Sequence, residues 1–156
     1  MTTAPESNHL ELRIERELLI AAPITATFEA LLEQIATGMA RSDGVGMPLK
    51  LEAFPGGRWF RDLGDGDGHF WGHVQAIKRP TLLELCGPLF MSSPTTNNVQ
   101  YRLEEVEGGT MLRLVHTAFG PMPDGVHDDD GMAATWEAQF ERISQVAEAR
   151  QGRRTR

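Results

Sequence analysis

The sequence predicts one α+β domain in which a curved antiparallel sheet wraps around a long C-terminal helix. Three observations carry that prediction. Short alternating segments separated by glycine- and proline-rich turns fill residues 49–119, which is the pattern of antiparallel strands. After them Met132, Trp136, Phe140, Ile143 and Ala147 fall at offsets 0, 4, 8, 11 and 15, one apolar stripe about four turns long. The length of 156 residues suits a single unit over 1–150, its core at about 10–150, followed by a basic tail at 151–156.

The elements follow in order. Leu10, Leu12 and Ile14 alternate with Glu11, Arg13 and Glu15, a half-buried strand that continues through Leu18 and Ile20. Ala22-Pro23 ends it, because proline lacks a donor and presets a helix start. Ile24, Phe28, Leu31, Leu32 and Ile35 then predict a helix, with Thr25 as its cap. Three glycines between Gly38 and Met47 break every period and predict a loop or a short irregular helix. Leu49–Phe54 reads as a strand turned by Pro55-Gly56-Gly57, and Arg58–Arg61 as the next. Gly64-Asp65-Gly66-Asp67-Gly68 is a turn between strands. His69–Lys78 ends at Arg79-Pro80, and Leu82–Leu85 pairs back. Trp71 and His73 fall on one face of the former strand and Gly72 and Val74 on the other, with the inward pair left open. Val99, Tyr101 and Leu103 alternate, Gly108-Gly109 makes a hairpin turn, and Leu112, Leu114 and His116 share the face opposite Met111, Arg113 and Val115. Asp128, Asp129 and Asp130 place negative charge at the start of the last helix, and Gly152 stops it. Such a sheet and helix bury their apolar faces against each other in two layers.

Composition excludes several classes of function. The net charge of −7 argues against a nucleic-acid or anionic-membrane binder. Arg150, Arg153, Arg154 and Arg156 complement a helix dipole at the C-terminus. Cys86 is the only cysteine, so no intramolecular disulfide forms, and it reads as a small buried hydrophobe in a strand. The first twenty residues lack a basic start and an apolar core, and no stretch approaches eighteen apolar residues. A soluble, cytoplasmic protein is expected.

Few chemical motifs survive scrutiny. His69 and His73 have a ligand spacing that works on a helix, but four residues of strand span about 13 Å, too far for one zinc ion. Asp65 opens a calcium-like run whose twelfth position is Ala76, so the bidentate acid is missing. Phosphate loops, dinucleotide fingerprints and a nucleophile elbow are absent from the sequence. No metal and no cofactor is predicted.

The ordered segments resemble the SRPBCC, or START-like, helix-grip proteins, and within them the homologues of the activator of heat-shock protein 90 ATPase. Ala22-Pro23 with Phe28 and Leu31 is similar to that family's first helix, and Phe54-Pro55-Gly56-Gly57-Arg58 to its Pro-Gly-Gly-Arg turn. Trp71-Gly72-His73-Val74 through Pro80 and Leu83, and Gly109-Thr110 with Leu112, Leu114 and His116, resemble two of its strands. Trp136 sits where its final helix carries a Gly-Trp pair, although here Gly131 and Trp136 are separated. The resemblance spans roughly residues 10–150 and implies a helix-grip fold around a hydrophobic cavity. It implies no single activity, since related members bind lipids, cyclise polyketides or act as chaperone partners.

The leading expectation is a small hydrophobic ligand held between sheet and C-terminal helix by Trp59, Tyr101, His116, Met132, Trp136 and Phe140. His116 is the one catalytic candidate, as the acid–base group of a cyclase-like enzyme, against a core histidine bonded to its surroundings. No second polar partner for it is visible in the sequence. The other reading is a protein-interaction module with a chaperone partner; the chain has no room for the additional N-terminal domain of a complete co-chaperone. The apolar segment Gly87-Pro88-Leu89-Phe90-Met91 either supports a homodimer or closes the cavity through Phe90 and Met91.

Overall fold

The structure is a computed structural model that describes residues 10–154. The reading of the first nine residues and the side chains of Arg153, Arg154 and Arg156 lie outside the described residues. The elements are β1 (Glu11–Ile20), α1 (Ile24–Gln34), β2 (Lys50–Leu51), β3 (Arg58–Gly64), β4 (Asp67–Lys78), β5 (Leu82–Gly87), β6 (Thr96–Val106), β7 (Gly109–Phe119) and α2 (Met132–Arg154). They build one antiparallel sheet in the order β1-β7-β6-β5-β4-β3-β2, so β2 to β7 form a meander that β1 extends beyond β7. No helix among the described residues is long and apolar enough to cross a membrane.

Period-two alternation sorts the sheet's faces. On β7 Leu112, Leu114 and His116 are buried, as are Val99, Tyr101 and Leu103 on β6. These residues face α2, whose stripe of Met132, Trp136, Phe140, Ile143 and Ala147 is buried along its whole length. Each large side chain in that layer contributes about 1.5–3 kcal/mol through its removal from water. The opposite face carries ion pairs such as Arg113 with Glu17 and Glu104.

The structure corrects several sequence expectations. The strand expected over Leu49–Phe54 is only Lys50–Leu51. Beyond it, Phe54 N donates to Glu52 O and Gly57 N to Phe54 O, which curls the chain. A Cβ on Gly57 would lie 1.8 Å from Glu52 O, so that turn closes only on glycine. The Glu52 carboxylate receives hydrogen bonds from the Arg58 guanidinium and backbone N–H, which hold its pKa down at about 2. Thr25 does not cap α1; Pro23 occupies that position without a side-chain bond, and the apolar packing of Phe28, Leu31 and Ile35 holds the helix instead.

Helix α2 runs through Gly152 to Arg154, because a glycine in a terminal turn costs a helix only about 1 kcal/mol. The three aspartates precede the helix, whose first turn holds no acid. Cys86 is half-buried, and its thiol donates to Gln75 Oε1 at 3.3 Å.

Strand β4 settles its inward face with two extra residues. Trp59 pairs with Gly72 and Phe60 with Phe70, leaving Trp71 unpaired; Val74 pairs with Leu85 and Ala76 with Glu84, leaving Gln75 unpaired. Each bulge resets the alternation. Trp71 and Val74 therefore both point inward, while His73 turns outward with its ring 4.8 Å from that of Phe70.

Candidate functional site

The space between sheet and α2 is filled by aromatic rings tied together through hydrogen bonds. Trp59 on β3 is fully buried and donates from Nε1 to Ile35 O at 2.7 Å, fixing the chain that leaves α1. Trp71 meets it edge-on at 5.1 Å. Tyr101 on β6 donates to Gln139 Oε1 at 2.6 Å, and Gln139 Nε2 donates to Met39 Sδ at 3.5 Å. Burial pushes the Tyr101 hydroxyl pKa up, so it stays protonated.

His116 is the centre of a second chain of bonds. Trp136 Nε1 lies 3.0 Å from His116 Nδ1, and His116 Nε2 lies 2.8 Å from Asn97 Oδ1. An indole N–H only donates, so Nδ1 is the bare nitrogen and Nε2 carries the proton given to Asn97. The Asn97 amide in turn donates to Pro88 O at 3.4 Å and Met91 Sδ at 3.8 Å. Burial lowers the His116 pKa to about 4, because the charged ring loses its hydration and gains no counter-ion. A neutral ring with both nitrogens occupied holds β6, β7, α2 and the segment after β5 in register.

Open space lies at the mouth of this interior, where α2 begins. A cleft of about 270 Å³ has walls of Met39, Met47, Trp71, Phe90 and Met132, with Arg41, Asp43 and Thr135 at its rim. A second hollow of about 470 Å³ shares Met47, Trp71 and Phe90 and adds Leu89, Met91, Arg61 and His69. The segment after β5 divides its side chains accordingly: Leu89 and Met91 are buried, whereas Phe90 is 43% exposed at the opening. Leu89 holds a positive φ of 56°, which turns the chain so that its neighbour Phe90 faces outward.

Of the six residues read from the sequence as ligand-binding, the structure places Met132 on the cleft. Trp59, Tyr101, His116, Trp136 and Phe140 form the packed layer beneath it. Met39 and Met47 are outside the expected set, Trp71 had no assigned face, and Phe90, expected either to close the cavity or to support a homodimer, stands at the opening. A signal for them does exist: Met39 and Met47 flank the glycine-broken loop after α1, and methionine is the adaptable side chain of promiscuous binding surfaces. Among the described residues no group of three or more histidine, cysteine, aspartate or glutamate side chains is placed to hold a metal.

Comparison with known proteins agrees with this architecture. The sequence model of the family described as Activator of Hsp90 ATPase homolog 1-like protein matches residues 21–148. No match is found among curated proteins. An uncharacterized protein from Rhizobium leguminosarum superposes with a TM-score of 0.65 at 18% identity, over 89% of this chain and 95% of that one. A Bacillus halodurans protein gives 0.63 at 22% identity, over 88% and 99%. The di-domain ARO/CYC StfQ from the steffimycin biosynthetic pathway gives 0.59 at 14%, over 94% of this chain and 54% of StfQ. At these identities the likeness is one of fold.

Proposed function

The chain belongs to the Activator of Hsp90 ATPase homolog 1-like family, and from that premise we propose that it binds a small hydrophobic molecule at the mouth of its sheet–helix interior. The carrying observation is the cleft walled by Met39, Met47, Trp71, Phe90 and Met132. Small-molecule sites are concave and mostly apolar with few polar groups, and this cleft matches that description with Thr135 and the Arg41–Asp43 pair at its edge. Three methionines let the walls adjust to a ligand's shape, and Trp71 offers a flat stacking surface.

His116 is given a structural role in this reading. It lies beneath the cleft with Trp136 and Asn97 on its two nitrogens, and a general base must reach the proton it takes. The likeness to StfQ carries the fold and not its activity.

Thermal unfolding with a panel of apolar molecules, decan-1-ol among them, tests the proposal. A ligand at a hundred times its Kd stabilises the folded state by about 2.7 kcal/mol, which raises Tm by roughly 5–10 °C for a chain of this size. An unchanged Tm across the panel would reject it.

A further inference from the structure

We propose that the molecule bound at this mouth is an apolar carboxylic acid, with its carboxylate held by Arg61 and His69 and its apolar body laid on Met47, Trp71 and Phe90. The inference rests on the reading of the cleft as a binding site and adds the chemical class of the ligand. Arg61 and His69 face each other across the β3–β4 ladder, a pairing that brings Cβ atoms within about 4.5–5.5 Å. Both line the 470 Å³ hollow whose other walls include Met47, Trp71 and Phe90. One end of the space is thus cationic and the rest apolar.

Charge pairing singles out Arg61 among its neighbours. Arg41 at the other rim is neutralised by Asp43, Arg58 by Glu52, and Lys50 by Asp62. The Arg61 guanidinium has no ion-pair or side-chain hydrogen-bond partner among the described residues, in a chain with 22 acidic and 15 basic residues. Asp62, the nearest carboxylate in sequence, is turned to Lys50. Arg61 and His69 also border a neighbouring hollow of about 520 Å³ where Asp62 and Asp67 form an acidic edge. The 470 Å³ hollow has no carboxylate among its own lining residues, so an anion held there by Arg61 meets no opposing charge on its walls. A guanidinium presents a fork of N–H donors that fits a carboxylate with two parallel bonds.

Calorimetric titration of the full chain with decanoate and with methyl decanoate tests the proposal, because the two probes share an apolar body and differ in charge. Decanoate should bind roughly tenfold tighter at low salt and lose that advantage as ionic strength rises. Arg61→Gln should bring decanoate to the affinity of the ester while leaving the ester unchanged. Equal affinities in the wild type, or a decanoate affinity indifferent to Arg61→Gln, would overturn the carboxylate assignment and leave the apolar cleft standing. Absence of binding by both probes would overturn the cleft reading and this inference together.

Discussion

At His116 the ring accepts from Trp136 and donates to Asn97, and that arrangement fixes how the protein responds to acid. The folded-state pKa of about 4 lies below the ordinary 6.5. Between those values the unfolded chain binds a proton that the folded chain refuses. Stability is therefore complete above pH 6.5 and declines as pH falls through 4, by on the order of 3 kcal/mol. Urea midpoints measured at pH 7 and pH 4.5 should fall further for the wild type than for His116→Gln. Equal falls would contradict the account of this residue. The inward direction of His116 was legible from its alternation with Leu112 and Leu114. Its partners were not, because Asn97 and Trp136 lie on other elements and only the folded register brings them to the ring.

The elements show where periodicity works and where it stops. Strands β6 and β7 follow strict alternation, so their inner faces could be read directly from the residues. Strand β4 contains two unpaired residues, Trp71 and Gln75, and a period-two reading assumes there are none. That is why Trp71 and His73 seemed to share a face. The turn before β3 has its own test: Gly57→Ala places a methyl against Glu52 O and should cost more than 2 kcal/mol, in line with other overpacked sites, read as a lowered denaturation midpoint. An unfolding free energy within about 0.5 kcal/mol of the wild type would show that the turn relaxes. The segment after β5 is tied down by Leu89 N donating to Trp71 O at 2.8 Å and by Asn97 donating to Pro88 O. Asn97→Ala removes the second tie and leaves His116 Nε2 without its acceptor, at a cost of about 1–3 kcal/mol. Amide exchange at Leu89 should accelerate in that variant; unchanged protection would mean the segment is held by other contacts.

Across the whole molecule, the space between sheet and C-terminal helix divides by position: aromatic rings fill the interior, and the open volume sits at the start of α2. Alternation puts Tyr101, and helical spacing Trp136 and Phe140, on the apolar faces, and all three are buried together with Trp59. Whether inward-facing residues leave a hollow depends on how closely α2 packs on the sheet and where the loop after α1 comes to rest. Neither is a local property of the sequence. The same division explains why Met132, the first residue of α2, is the predicted contact that borders the cleft. Met132→Trp should fill the cleft and weaken binding of decan-1-ol roughly tenfold, at a cost in stability of about 1–3 kcal/mol for enlarging a buried side chain; undiminished binding would move the ligand elsewhere.

The most direct measurement uses the methionine methyl groups as reporters, with a spectrum recorded as uncharged decan-1-ol is added. Met39, Met47 and Met132 line the cleft, whereas Met111 lies on the opposite face of β7 from the inward-facing Leu112 and Leu114. Saturable shifts are expected at Met39, Met47 and Met132, with Met111 silent. Shifts at none of the three up to millimolar ligand, or equal shifts at Met111, would contradict binding at the cleft.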